Sequence, residues 1–275
     1  ANAVAKAAQQ YFYISANITG LLLAALTALV LIGGIKRIGS VAEKIVPGMA
    51  LMYLGMSLTV IALNYEMIPG VLESIVSEAF ALSSAGGAGV WLALRWGFAR
   101  GIFSNEAGLG SAAIAHAAAK TNKPVEQGMI AMLGTFIDTI IICTVTALVI
   151  LVTLPIDTDS SAALLSAKAF ETVFGSLGGQ LVATALCLFA FTTILGWSYY
   201  GEKCAQYLFG DKIILPYRII WISAIYVGAI TEFELIWLIA DILNGLMALP
   251  NLIALVPLSP TIFNATTEFR KKIQR

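Results

Sequence analysis

The sequence predicts an all-α polytopic membrane protein with about seven transmembrane helices, one of them discontinuous. Of its 275 residues, 59% are hydrophobic and only 12% are charged, which is about half of the ~25% charged share that is typical of soluble domains. Several nearly uncharged runs exceed about eighteen residues, the length that marks a bilayer-spanning helix. Within this apolar chain, the stretch from Gly97 to Thr121 combines charges, four glycines and the only histidine, His116.

Composition also excludes several classes of protein. The formal net charge of zero excludes a strongly basic nucleic-acid binder,. Cys143, Cys187 and Cys204 lie far apart without a CxxC pair, so neither a disulfide framework nor a zinc site is indicated. The motifs HExxH and GxSxG and phosphate-binding loops are absent, so the sequence does not predict an enzyme. Because the chain begins with Ala1 and has no cleavable signal peptide, we interpret it as a piece of a longer protein,.

We call the segment from Gly97 to Thr121 the central stretch. Besides it, the apolar runs predict six spans, at about residues 14–35, 45–65, 127–152, 178–200, 213–230 and 235–258,. Gly33-Gly34 indicates the end of the first span, and we expect Pro47 in the first turn of the second. Residues 1–13 are too polar to cross and predict a short interfacial helix. The segment VLESIVSEAF within residues 67–85 is amphipathic and predicts a surface helix. Residues 153–175 predict a loop with a short helix.

The distribution of Lys and Arg decides whether the central stretch crosses the membrane. If each candidate crosses once, twelve Lys and Arg residues fall on the side of Lys36 and Arg37, whereas only Lys6 and Lys168 fall on the other. Such a bias is typical of cytoplasmic segments. If the central stretch stayed outside the bilayer, every later loop would change sides and the bias would disappear. The sequence therefore predicts seven crossings with a cytoplasmic C-terminus.

The central crossing contains the most polar groups. Gly101, Gly108 and Gly110 surround Asn105-Glu106, which predicts a broken helix that lines a cavity or is buried in protein. The alternative is close helix packing through the small residues that follow Gly110.

Other polar residues leave alternatives open. Arg100 and Glu106 could be ion-pair members, gate residues or ligand contacts, and His116 suits hydrogen-bonded packing better than a proton relay. Asp138, between Thr135 and Thr139, could coordinate a cation or balance the charge of Arg100.

Two groups of polar residues lie on later helices. Thr192-Thr193 place adjacent hydroxyls in mid-span, but a membrane-helix threonine often bonds its own i−4 carbonyl, and Trp197 is positioned to wall a small pocket. For the group of Asp241, Asn244 and Pro250-Asn251, a kink is favoured over a binding role.

Long blocks of the sequence resemble the alanine or glycine:cation symporter family, also described as sodium:alanine symporters. They include ARGIFSNEAGLGSAAIAHAAAKTNKP, QGMIAMLGTFIDTIIICTVTALVIL, FAFTTILGWSYYGEKC and ADILNGLMALPNLIAL. The resemblance implies a leucine-transporter-like fold of two inverted five-helix repeats that moves alanine or glycine with Na⁺, or with H⁺.

The resemblance also implies a division of the chain. Residues 1–66 correspond to the last two helices of the first repeat, residues 67–85 to the surface segment, and residues 86–258 to the second repeat with its broken helix at 88–118. Residues 259–275 form a basic cytoplasmic tail. The family's first broken helix, with its GTGN-type motif, has no counterpart here, so we expect missing N-terminal helices of the same polypeptide to complete the site and the chain not to transport alone.

The expected function is a secondary active symporter, in the cell (plasma) membrane, that imports a small neutral amino acid with Na⁺ as coupling ion and needs no organic cofactor. H⁺ coupling stays open, and a channel or scaffold without active transport is the alternative. The expected partners are the amino acid and the lipid bilayer, with no nucleic acid. The candidate residues are Phe103, Asn105, Gly108 and Trp197 for substrate, Thr192 and Thr193 for Na⁺, and Arg100, Glu106 and Asp138 as gate or ion-pair residues.

Overall fold

The computed structural model describes residues 1–80, 88–155, 162–231 and 234–274, and all regular secondary structure within them is helical. The α-helices are α1 (Asn2–Phe12), α2 (Ala16–Leu31), α3 (Gly34–Leu63), α4 (Ile68–Phe80), α5 (Ala88–Asn105), α6 (Ser111–His116), α7 (Pro124–Thr135), α8 (Cys143–Thr153), α9 (Ala162–Phe174), α10 (Ser176–Phe209), α11 (Ile214–Ile230) and α12 (Glu234–Ile273). A π-helical segment, Phe136–Ile142, connects α7 to α8, and 3₁₀ turns at Tyr65–Met67 and Asp211–Ile213 precede α4 and α11.

Five helical stretches of the described chain are long and apolar enough to cross a bilayer. They are Gly34–Leu63, Pro124–Thr153, Ser176–Phe209, Asp211–Ile230 and Leu238–Ile273, and α2 is a shorter apolar helix. An all-α polytopic membrane protein is therefore confirmed. The count of seven crossings also needs α2 and the central stretch, so that count stays a prediction, as does the leucine-transporter-like arrangement.

Glycine and proline differ in how well they indicate helix ends here. α2 ends before Gly33-Gly34 as expected, and Gly34 has a positive φ of 61°. The placement of Pro47 in a first turn is wrong, because α3 begins at Gly34 and contains Pro47 in its interior. α12 likewise continues through Pro250, Pro257 and Pro260 to Ile273, past the predicted end of the last span. Transmembrane helices tolerate proline, since neighbouring groups satisfy the freed carbonyls.

The chain divides into two units, and each is described by itself. The first comprises Ala1–Ile75 with Thr144–Glu232, and the second comprises Val76–Cys143 with Phe233–Arg275. In the first unit, α2 packs on α11, and α10 packs on α1, α3 and α9. The apolar core of this unit includes Val4, Leu23, Leu31, Phe191, Leu195 and Ile225. α2 and α11 approach closely at Gly20, where an added Cβ would lie 2.8 Å from Cβ of Ala229.

Polar contacts connect helices within the first unit. The guanidinium of Arg218 makes a bidentate pair with the buried carboxylate of Glu202, at 2.6 and 3.0 Å. On α1, the hydroxyl of Tyr11 donates to Glu171 of α9 at 3.3 Å. Burial, followed by the neighbouring carboxylate of Glu171, raises the pKa of Tyr11 to about 12. The Tyr11 hydroxyl is therefore protonated, and able to donate, throughout the neutral range.

Candidate functional site

The central stretch is interrupted in the second unit, where α5 ends at Asn105 and α6 begins at Ser111. Glu106, Gly108 and Gly110 adopt positive φ angles of 55°, 80° and 82° between the two helices. The break therefore lies at the glycines from which it was predicted. A left-handed conformation at a residue with a side chain, such as Glu106, is sparsely populated and persists where surrounding contacts support it.

Side chains on both sides of the break supply that support. The amide oxygen of Asn105 accepts a hydrogen bond from the backbone N–H of Ala107 at 2.8 Å. The hydroxyl of Ser111, the first residue of α6, donates to the carboxylate of Glu106 at 2.7 Å. A polar side chain that bonds the local backbone gives the chain an alternative to helical hydrogen bonds, so these residues stabilise the interruption.

Asn251 of α12 also contacts the break. Its amide nitrogen donates to the carbonyl of Gly108 at 3.0 Å. Its amide oxygen would lie 2.9 Å from a Cβ added at Gly110. The sequence favours a kink at Pro250-Asn251 and does not predict this contact, because nothing in the local sequence relates Asn251 to Gly108.

The π-helical segment Phe136–Ile142 faces the end of α5. The hydroxyl of Ser104 donates to Oδ2 of Asp138 at 2.5 Å, and the amide of Asn105 donates to the hydroxyl of Thr139 at 3.3 Å. Single turns of π-helix inside α-helices are frequent at functional sites. The sequence drew attention to Asp138 and Thr139, but the π-helical turn and the bond to Ser104 were not predicted.

A cavity of about 930 Å³ lies between the break, the π-helical segment and α12. Of the candidate residues, Asn105, Glu106, Gly108 and Asp138 line it, together with Asn251. Phe103 and Arg100 are in the same unit but are not among its lining residues. The predicted small-residue surface also contributes, because Ala112 and Ala113 of α6 line the cavity.

Arg100 lies on α5 before the break and contacts α12. Its guanidinium forms an ion pair with Asp241 at 3.0 Å, and it lies over the ring of Trp96, 4.9 Å from the centroid. The structure thus pairs Arg100 with Asp241 and not with Asp138. Asp241 is a further residue whose role the sequence interpretation missed.

His116 ends α6 and bonds to the next helix. Its Nδ1 lies 2.7 Å from the amide nitrogen of Gln127 on α7. Since an amide nitrogen donates, Nδ1 of His116 is the acceptor of this hydrogen bond. His116 lines the large cavity and also a neighbouring cavity of about 620 Å³. The hydrogen bond agrees with a packing role.

Thr192, Thr193 and Trp197 lie on α10, in the first unit. Both threonine hydroxyls donate to the carbonyl of Phe189, each at 2.9 Å. This is the local bonding that membrane-helix threonines often make, and it leaves the lone pairs of both oxygens available to a cation. The ring of Trp197 packs edge-on against Tyr200, with 5.9 Å between centroids. A pocket that joins these residues to those of the second unit stays a prediction.

Comparison with known proteins gives the relatives of this chain. The model of the sodium:alanine symporter family matches residues 1–275. The chain is 46% identical to the sodium/alanine symporter AgcS of Methanococcus maripaludis, over 98% of this chain and 60% of that protein. It is 45% identical to an uncharacterized transporter of Haemophilus influenzae, over 99% of this chain and 61% of that protein.

A further relative has a different named substrate. The chain is 38% identical to the probable sodium/glutamine symporter GlnT of Bacillus subtilis, over 98% of this chain and 57% of that protein. The chain thus spans about three-fifths of the length of the curated relatives it matches.

Proposed function

Because this chain belongs to the sodium:alanine symporter family, we propose that the protein is a secondary active symporter that imports a small neutral amino acid, alanine or glycine, together with Na⁺. The observation that carries the proposal is the family match over residues 1–275. The cavity beside the interrupted helix supports it, since discontinuous helices in transporters commonly bind substrate and ions near the membrane midplane.

The amino acid binds at the interruption. The C-terminal end of α5 presents carbonyl oxygens and the negative end of the helix dipole, which suit the ammonium group of a zwitterionic substrate. Asn105 supplies an amide beside these carbonyls, and Gly108 keeps the backbone open to a close approach. Phe103 of α5 is a proposed apolar contact of the substrate side chain, although it does not line the cavity. Trp197 of α10, in the first unit, is proposed for the same role.

Sodium binds at Thr192 and Thr193, with the hydroxyl oxygens of both residues as ligands. Hydroxyl and carbonyl oxygens are hard ligands of the kind that alkali and alkaline-earth cations prefer. Both hydroxyls donate to the carbonyl of Phe189, which is compatible with this role because the oxygen lone pairs stay open to a cation. The alternative is coupling to H⁺ instead of Na⁺. An uptake experiment in which sodium is replaced by another cation distinguishes the two.

The protein lies in the cell membrane with several crossings and a cytoplasmic C-terminus. The bias of Lys and Arg toward one side supports this orientation, including the basic residues Arg270, Lys271 and Lys272 at the end of α12,.

The test is uptake by the complete protein reconstituted into liposomes. Under an inward sodium gradient, labelled alanine or glycine should accumulate above its bath concentration, and glutamine should compete weakly. Replacement of sodium by choline should abolish accumulation. Equilibration without accumulation would indicate a channel, and absence of any flux would indicate a scaffold. Uptake driven equally well by a pH gradient without sodium would replace Na⁺ by H⁺.

A further inference from the structure

We propose that the end of α12 is a binding surface for anionic lipid headgroups, formed by Arg270, Lys271 and Lys272 beside a stripe of apolar side chains. The surface goes beyond the proposed transport function and does not depend on which solute is carried. Three features of the helix carry the proposal: its length, the arrangement of its side chains and the balance of its charges.

α12 is too long to lie within the core of a bilayer. It has 40 residues, which corresponds to about 60 Å of α-helix, whereas the hydrocarbon core is about 30 Å thick. The predicted span ends at about residue 258, and the helix continues through Pro260 to Ile273. Residues 259–273, which we call the α12 extension, therefore reach the headgroup region and the water beyond it.

The α12 extension carries an apolar stripe. Ile262, Phe269 and Ile273 are spaced by seven and four residues, so they lie within about 20° of one line along the helix. Ile262 and Ile273 are exposed, by 53% and 68%, and Phe269 is half-buried. Arg270 and Lys272 lie on opposite sides of the stripe, each about 80° from Ile262 around the helix axis. An apolar stripe between basic flanks is typical of helices that contact a membrane surface.

The basic side chains of the α12 extension are within reach of the headgroups. Arg270 follows the exposed Phe263 by seven residues, which is a rise of about 10 Å. The headgroup region is about 5–8 Å deep on each side of the core, and charges act over a Debye length of about 8 Å at physiological salt. The side chains of an α-helix also lean toward its N-terminus, which for Arg270 and Lys272 is the direction of the bilayer.

No acidic protein partner neutralises these cations within the described ranges. The three basic residues of the α12 extension are exposed, and none of their side chains makes an ion pair there. Residues 259–275 contain one acidic residue, Glu268, and a fourth basic residue, Arg275. Four cations and one carboxylate give this segment a net charge of +3. Clusters of about four to eight Lys and Arg residues beside a transmembrane helix are typical binding sites of anionic lipids.

The experiment measures which lipid lies next to the α12 extension. A fluorophore is attached at Gln274→Cys in the complete protein without its native cysteines, which is reconstituted into phosphatidylcholine nanodiscs. A small fraction of the lipid carries a nitroxide quencher near its headgroup, on either phosphatidylglycerol or phosphatidylcholine. At equal mole fraction, phosphatidylglycerol should quench at least about twice as strongly, because the cations concentrate the anionic lipid. A high concentration of KCl should remove the difference, because it screens exposed charges.

Two variants separate a local surface from the net charge of the protein. The variant of the α12 extension carries Arg270→Gln, Lys271→Gln and Lys272→Gln. The control variant loses the same charge at exposed positions in the first half of α3, through Lys36→Gln, Arg37→Gln and Lys44→Gln. The first variant should make the two quenchers equally effective, and the control should leave the preference for phosphatidylglycerol unaltered. Equal loss in both variants would overturn the surface.

Further outcomes keep the proposal testable if the triple variant of the α12 extension does not fold. Glu268→Gln removes the acidic residue of the segment, so the preference for phosphatidylglycerol should increase. Equal quenching by the two lipids at low salt, or a preference that KCl leaves unchanged, would overturn the proposal. Absence of quenching by either lipid would show that the α12 extension does not contact the bilayer. No uptake is measured, so loss of lipid binding and loss of symport are separate outcomes.

Discussion

Asn251 is the residue of α12 that contacts the interruption of the central helix. It donates to the carbonyl of Gly108 at 3.0 Å, and a left-handed glycine cannot use that carbonyl in a regular helical ladder. Removal of the amide by Asn251→Ala should lower the unfolding free energy by about 0.5–1.5 kcal/mol, the net value of a typical hydrogen bond. Chemical or thermal unfolding of the purified protein in detergent measures the change.

Two variants separate the loss of the hydrogen bond of Asn251 from the loss of its side-chain volume. Asn244→Ala, on the same helix, removes an amide for which the described residues provide no hydrogen-bond partner, so it should change stability little. Asn251→Asp keeps the size but replaces the donor by an acceptor that faces the Gly108 carbonyl, so it should be no better than alanine. Full stability in Asn251→Asp would show that the hydrogen bond is not what matters.

Thr193 allows a test of the sodium site on α10. Thr193→Ala removes one proposed oxygen ligand, so the sodium concentration for half-maximal alanine uptake should rise several-fold. Thr184→Ala is the matched control, since Thr184 lies on the same helix and also donates to its own i−4 carbonyl, that of Gln180, at 2.8 Å. Equal sodium dependence in the two variants would place the ion elsewhere.

The interrupted helix, taken as an element, depends on Gly110. Its φ of 82° belongs to the region that L-residues avoid, and an added Cβ would lie 2.9 Å from the amide oxygen of Asn251. Gly110→Ala should therefore destabilise the protein by about 1–3 kcal/mol through backbone strain and crowding. The same substitution at Gly128 in α7 meets no atom within 4 Å and should be neutral or stabilising by about 0.5–1 kcal/mol.

Unfolding midpoints of the two alanine variants provide the measurement. The double variant Gly110→Ala with Asn251→Ala is compared with Asn251→Ala alone, because both lack the hydrogen bond of Asn251 to Gly108. The crowding is then relieved and the strain is retained, so this difference should be smaller than the loss caused by Gly110→Ala in the wild-type protein. Complete recovery would attribute the whole effect to crowding, and equal midpoints for Gly110→Ala and Gly128→Ala would contradict the role of the left-handed conformation.

Local sequence signals predict elements of this chain better than they predict the contacts between elements. The break at Gly108 and Gly110 and the helix end at Gly33-Gly34 were predictable, because positive φ is a local property of glycine. Pro47 does not indicate a helix start, because the apolar helix α3 continues through it. The π-helical turn at Phe136–Ile142 has no simple residue signature.

The contacts of α12 with the central stretch were beyond sequence reasoning. Arg100 and Asp241 are 141 residues apart, and Asn251 and Gly108 are 143 apart. Neither pair shares a helical face or a motif, so spacing carries no information on them. The sequence indicated which residues are unusual in a membrane span, and only the packing within the second unit indicates which of them meet.

For the molecule as a whole, the charge distribution predicts the side of the membrane on which each segment lies. Glu73 of α4 and Lys123 before α7 flank the central stretch, and both side chains are exposed. If the stretch crosses once, Glu73 lies outside and Lys123 inside, in agreement with the cytoplasmic preference of Lys and Arg. If the stretch stays on one side, both positions share that side.

Cysteine labelling in intact cells decides between these arrangements. In a background without Cys143, Cys187 and Cys204, a cysteine at Glu73→Cys should react with a membrane-impermeant thiol reagent added outside. A cysteine at Lys123→Cys should react only after the membrane is permeabilised, and Lys36→Cys should behave like Lys123→Cys. Reaction of both Glu73→Cys and Lys123→Cys from outside would remove the central stretch from the bilayer. It would also remove the membrane-embedded substrate site proposed at its interruption, because an amino acid bound there would face only one side.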